Sequence, residues 1–169
     1  MFDRDTVMAV KDVLDLAREG GLMVATAESC TGGLIGAALT SVAGSSDVVE
    51  RGFISYSNEA KMELLGVTED ALQLHGAVSE VVARAMAEGA LAHSRADIAV
   101  SVTGIAGPGG GTKDKPVGLV HLACARRENE TVHRKLLAGD IGRDQIRHEA
   151  LMEALYLIKS QILTGSLLA

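Results

Sequence analysis

Residues 22–33 read Leu22-Met23-Val24-Ala25-Thr26-Ala27-Glu28-Ser29-Cys30-Thr31-Gly32-Gly33, and this stretch decides the fold. Its first six residues are a short apolar run, best read as a buried strand. The run ends in Glu28 to Gly33, a small-residue, glycine-rich turn, and a helix is expected from about Gly33 to Ser41. Upstream, Val7, Val10, Val13, Leu14 and Ala17 recur at helical spacing between Asp5 and Glu19, with Gly20 and Gly21 as the stop.

Downstream the alternation continues. Val48 to Ser57 reads as a second strand, and Asn58 as the N-cap of a helix through Leu65, stopped at Gly66. Thr68 caps a short helical piece before His75-Gly76, and Ser79 caps a longer helix carrying Val82, Ala85, Met86, Gly89 and Ala90. Asp97 to Thr103 is a strand that opens into Gly104-Ile105-Ala106-Gly107-Pro108-Gly109-Gly110-Gly111. Val117 to Arg126 and Thr131 to Leu137 read as a hairpin turning at Glu128-Asn129, and a last helix runs from about Arg143 to Leu163. The fold class is therefore α/β: a three-layer α/β/α sandwich whose sheet is mixed and mostly parallel. With no internal repeat, linker or low-complexity tail, residues 1–169 are expected to form a single domain.

Composition narrows the function. The chain is 47% hydrophobic but has only two Phe, two Tyr and no Trp, against 19 glycines. Its core must be packed from aliphatic side chains and alanine, with backbones approaching closely. Lys and Arg total 16 against 22 Asp and Glu, a net charge of −6. No basic stripe and few aromatic platforms argue against nucleic acid as a partner. Cys30 and Cys124 lie far apart with no CxxC spacing, which fits a reducing cytoplasm better than a disulfide or zinc framework. No signal peptide and no membrane-spanning run is evident, so a cytoplasmic protein with no membrane partner is expected.

Two loops stand out for chemistry, Glu28 to Gly33 and Thr103 to Gly111. Both follow strands, where ligands bind in open α/β sheets, and bare glycine backbone lets N–H groups face an anion, helped by a following helix N-terminus. The standard nucleotide motifs fail: Gly111 is followed by Thr112-Lys113, the reverse of a P-loop, and Thr31 stands where a Rossmann fingerprint needs glycine. Ser29 sits at a strand end before the helix start, where an oxyanion would be stabilised, but a serine nucleophile needs a base. Cys30 is the rival nucleophile, since a helix N-terminus lowers a thiol pKa. None of the five histidines is placed beside it by the sequence, and no cluster has metal-ligand spacing, so no metal is expected.

Four ordered blocks carry a resemblance: Thr26 to Gly33, Tyr56-Ser57-Asn58-Glu59-Ala60-Lys61, Thr103 to Gly110, and Lys115-Pro116-Val117-Gly118. Together they resemble the CinA C-terminal domain family, the nicotinamide-nucleotide amidases, over nearly the whole chain. In larger members this domain follows an unrelated N-terminal one, and the chain looks like the stand-alone form. The resemblance implies deamidation of nicotinamide mononucleotide to nicotinic acid mononucleotide and ammonia, through a serine nucleophile and without a cofactor. It makes Ser29 the nucleophile, with Lys61 as first choice for general base and Tyr56 in support. Lys61 would need a pKa lowered by burial or a neighbouring cation. Thr103 would hydrogen-bond substrate or nucleophile, and Glu28 would orient the site or a water. Thr31, Gly32 and Gly33, with Gly109 and Gly110, would supply oxyanion or phosphate N–H donors.

One block departs from the family pattern. Members commonly have Gly-Asp-Arg, whereas here Gly139-Asp140 is followed by Ile141-Gly142 before Arg143, with Arg147 beyond. The kept spacing to Arg147 favours Arg143 as the arginine that reaches the substrate. The small-molecule nucleotide is the expected partner, and the alanine-rich stretch 81–92 is a candidate surface for a homo-oligomer, dimer or higher. The alternative function is a non-catalytic nucleotide-binding or regulatory module linked to competence or DNA damage.

Overall fold

The computed structural model describes residues 1–167. Its helices are α1 (Arg4–Glu19), α2 (Leu34–Thr40), α3 (Asn58–Leu65), α4 (Glu69–His75), α5 (Glu80–Ala92) and α6 (Arg143–Leu167). Its strands are β1 (Val24–Glu28), β2 (Val49–Ile54), β3 (Ile98–Gly104), β4 (Leu119–Arg126) and β5 (Val132–Leu137). They form one sheet in the order β2-β1-β3-β4-β5. β1 pairs parallel with β2 and β3, while β4 runs antiparallel to both β3 and β5, so the expected mixed sheet is present. Helices α1, α2 and α6 cover one face, and α3, α4 and α5 the other, giving three layers.

The two faces differ in side-chain size. Towards α1, α2 and α6 the strands present Val24, Ile98, Val100, Val102, Val120, Leu122 and Cys124. Towards α5 they present Ala25, Ala27, Ala99, Ala123 and Ala125, met by Ala83, Ala87 and Ala90 of the helix. Small against small draws α5 close to the sheet, and Ser101 Oγ donates to the Ala83 carbonyl at 2.6 Å. Gly89 extends the closeness to α3: a Cβ there would lie 1.9 Å from the Leu65 carbonyl oxygen. The inner face of the alanine-rich stretch 81–92 is thus covered by its own chain, with Val82, Ala83, Met86, Ala87 and Ala90 all at 0% exposure, while Val81, Glu88 and Ala92 face outward.

Helix starts follow local chemistry. Asp3, Thr68 and Ser79 cap α1, α4 and α5 through side-chain oxygens. The cap of α3 is Ser57 rather than Asn58: Ser57 is extended and its hydroxyl accepts from the Ala60 N–H at 3.0 Å, so Asn58 is the first helical residue.

Connectivity places the site. From β1 the chain crosses one face through α2 to reach β2, then crosses the other face through α3, α4 and α5 to reach β3 on the far side of β1. The loops after β1 and β3 therefore leave in opposite directions and open a crevice between them. The loop after β3 does not enter a helix, contrary to expectation. It runs through residues 105–118 into antiparallel β4, so no helix N-terminus lends it charge. Among the described residues no helix is long and apolar enough to cross a membrane.

Candidate active site

The strand–turn boundary after β1 sets Ser29. Its N–H donates to Val102 O at 2.9 Å, so it is held as the last rung of the sheet while its side chain stands at the crevice. The turn behind it is locked by Glu28, whose carboxylate accepts from the N–H groups of Gly33 (3.0 Å), Ile35 (3.1 Å) and Gly36 (2.8 Å). A strand residue thereby caps α2, and the left-handed φ of 58° and 98° at Gly32 and Gly33 brings the chain round. Glu28 is 1% exposed and accepts these three bonds, so its carboxylate orients the turn that carries Ser29. Gly32 N–H is also spent, on Ser29 O at 3.0 Å. The expectation that Gly32 and Gly33 offer N–H donors to a ligand is therefore corrected.

Lys61 comes from the first turns of α3, aimed under the end of β1. It is 1% exposed, yet its Nζ lies 3.0 Å from Ser29 Oγ, 2.8 Å from Ser55 O and 3.5 Å from Tyr56 O. Among the described residues no carboxylate pairs with it. Burial lowers its pKa below the ordinary lysine value because the ammonium has lost its water. A neighbouring Cys30 thiolate would oppose that, but burial pushes the Cys30 thiol up to about 11, so the sulfur is neutral at ordinary pH. The same burial removes Cys30 as an activated nucleophile, against the expectation drawn from the helix N-terminus.

The other expected residues divide. Ser29, Lys61, Tyr56, Thr103, Gly109, Gly110 and Arg143 all line one open cleft of about 290 Å³. Thr103 follows Val102, the register partner of Glu28, just as Ser29 follows Glu28, and it spends its hydroxyl proton on Ala77 O at 2.9 Å. Tyr56 is exposed and meets Lys61 only through its carbonyl; its hydroxyl accepts from Arg143 at 3.2 Å. Arg143 also donates to Gly107 O at 2.8 Å, which ties the start of α6 to the loop after β3. Arg147 does not line the cleft and instead donates to Thr31 O at 2.9 Å behind the Ser29 turn. Thr31 is fully buried there, so its side chain is closed off from a ligand in the cleft. The N–H groups of Ala106, Gly107, Gly109 and Gly110 make no hydrogen bond among the described residues and are among the cleft's unspent backbone donors.

Sequence reading missed two contributors. Ser55 is fully buried, and its carbonyl is the nearest acceptor for Lys61; its place just ahead of the Tyr56 block was the available signal. Ala77 and Val78 form a wall of the cleft, and Gly76 before the Ser79 cap marked that turn.

Comparison with known proteins agrees with this architecture. The CinA C-terminal domain matches residues 7–162, and the chain belongs to that family. Nicotinamide-nucleotide amidohydrolase PncC of Escherichia coli is 46% identical over 98% of this chain and 100% of that protein. CinA-like protein of Syntrophobacter fumaroxidans is 51% identical over 88% of the chain, which spans only 34% of that longer protein. The crystal structure of competence/damage inducible protein CihA from Agrobacterium tumefaciens superposes with a TM-score of 0.93 at 51% identity, covering 95% of this chain and 97% of the other.

Proposed function

We propose that this member of the CinA C-terminal domain family is an amidohydrolase that deamidates nicotinamide mononucleotide, with Ser29 as nucleophile and neutral Lys61 as its base. The observation that carries the reading is the 3.0 Å approach of a buried, carboxylate-free lysine amine to a serine hydroxyl at a strand end. The 46% identity to an amidohydrolase named for nicotinamide nucleotides supports the substrate.

The steps follow from the geometry. Neutral Lys61 accepts the hydroxyl proton as Ser29 Oγ attacks the carboxamide carbon, which the pyridinium ring has made electron-poor. The Cys30 N–H, next in the chain and bonded to no other residue among those described, is the donor assigned to the developing oxyanion. Collapse breaks the C–N bond, and the ammonium of Lys61 returns its proton to the departing nitrogen, which leaves as ammonia. Lys61 then takes a proton from the water that attacks the ester carbon and returns it to Ser29 Oγ as the acyl C–O bond breaks, so that the product acid, which ionises to its carboxylate, leaves with Ser29 and neutral Lys61 restored. Ser55 O holds the amine in line throughout. Arg143 and the unspent N–H groups of residues 106–110 supply positive character for the 5′-phosphate.

Ammonia release from nicotinamide mononucleotide tests the reading, measured for the wild type, Ser29→Ala and Lys61→Met. Release by the wild type and loss of several orders of magnitude in kcat in both variants is expected. No release by the wild type would overturn the amidase reading and favour a nucleotide-binding module. A fully active Ser29→Ala variant would remove the serine from the mechanism.

A further inference from the structure

The block Lys115-Pro116-Val117-Gly118 takes no part in the chemistry above, yet each end of it braces the cleft. Lys115 Nζ donates to the His75 carbonyl, 2.6 Å away, at the last residue of α4. Its own backbone is closed on Thr112: Thr112 N–H donates to Lys115 O at 2.7 Å and Lys115 N–H to Thr112 Oγ1 at 3.0 Å. Val117 fills the underside of the loop after β3. A Cβ on Gly107 would stand 2.6 Å from Val117 Cγ1, and one on Gly111 3.0 Å from its Cγ2. Gly118 lets the backbone of Gly139 come close: a Cβ there would lie 2.2 Å from Gly139 O, just ahead of the turn that presents Arg143.

Facing this loop is the turn of residues 76–79, which supplies Ala77 and Val78 to the cleft. Its ties are few. Ser79 Oγ donates to Gly76 O at 2.8 Å within the turn, and Thr103 Oγ1 to Ala77 O at 2.9 Å from the sheet. Among the described residues, the side-chain hydrogen bond that ties the loop to the residue leading into this turn is that of Lys115 to His75 O. The contact is tight, since a Cβ on Gly76 would lie 2.9 Å from Lys115 Nζ. Lys115 does not itself line the cleft.

We propose that Lys115 is a positioning residue for the nucleotide: its ammonium joins the 104–116 loop to His75, the residue that leads into the 76–79 turn, and so sets the spacing of the two walls between which the substrate sits. Its kinetic consequence rests on the amidase reading; its structural consequence does not. Loss of the bond leaves Ser29 and Lys61 in place, so binding suffers and the chemical step is spared.

The test compares wild type, Lys115→Met and Lys115→Arg in two measurements. With nicotinamide mononucleotide, Lys115→Met raises KM roughly tenfold with kcat within about twofold, and arginine restores most of the loss. On the free proteins, hydrogen exchange of amides 76–79 and 106–112 is faster in Lys115→Met at an unchanged Tm. An unchanged KM overturns the proposal. A raised KM with unchanged exchange overturns it too, because it makes Lys115 a direct substrate contact. If the wild type releases no ammonia, the amidase reading fails, and exchange alone decides: accelerated exchange upholds the wall-spacing role and unchanged exchange removes it.

Discussion

Lys61 Nζ stands 3.0 Å from Ser29 Oγ although the two residues are 32 positions apart and the lysine is 1% exposed. An ammonium in that place, with no carboxylate partner among the described residues, destabilises the fold, and the same cost lowers its pKa, as the proposed role of base requires. Structure and chemistry are therefore linked through one desolvated group.

That link has a pH signature. The folded state holds the Lys61 proton less tightly than the unfolded chain, where the ordinary value is 10.5. Folding then expels a proton, and stability rises with pH between the lowered folded value and 10.5. Lys61→Met abolishes this slope. Thermal denaturation is expected to show the variant above the wild type in Tm at neutral and acid pH, the gap narrowing above the lowered folded value and gone once pH reaches about 10.5. The wild type's kcat/KM rises through the same lowered pKa, a limb that Lys61→Met lacks.

Cys30 is expected to be chemically quiet despite lining the cleft. Burial pushes its thiol up to about 11, which leaves little thiolate at pH 7.5. Iodoacetamide labels the folded protein at Cys30 only slowly, as followed by mass spectrometry, and Cys30→Ser keeps kcat within a few-fold of wild type. Rapid labelling together with loss of turnover in Cys30→Ser would transfer the nucleophile to the sulfur.

Glu28→Ala removes one carboxylate and strands the three N–H groups of Gly33, Ile35 and Gly36. Unmade bonds to buried donors and loss of a helix cap together cost about 3 kcal/mol, read as a lower urea midpoint. Activity at a temperature where the variant is folded falls through displacement of Ser29. A variant as stable as wild type would show that the carboxylate does not hold this turn.

Two glycines separate packing from binding. Gly89→Ala drives a methyl into the Leu65 carbonyl and forces α3 away from α5, a cost of about 2 kcal/mol that also moves Lys61. Tm and kcat fall together. Gly109→Ala meets nothing within 4 Å, so Tm holds while KM for the nucleotide rises. Denaturation and steady-state kinetics on the pair distinguish the two outcomes.

Much of this was legible along the chain because it is local. Ser79 and Thr68 announce their helices by bonding an N–H three residues on, and the glycine turn after β1 is a matter of backbone freedom at Gly32 and Gly33. The reading slipped by one residue at Ser57, where two polar residues compete for the cap and geometry alone chooses. It assigned Glu28 to the chemistry because a carboxylate beside a nucleophile suggests a role there. In the fold that carboxylate is consumed by a helix start seven and eight residues away.

The sequence by itself determined the α/β alternation, the family and the cluster of blocks that meet at the cleft, since periodicity, caps and glycine turns act within a few residues. Only the tertiary structure decided how each of those groups is placed and solvated. α3 buries Lys61 under β1 and so lowers its pKa, the same packing raises the Cys30 thiol, and Arg143 rather than Arg147 lines the cleft, tied to Gly107 and Tyr56. Proton affinity depends on desolvation, and desolvation is set by neighbours distant in the chain.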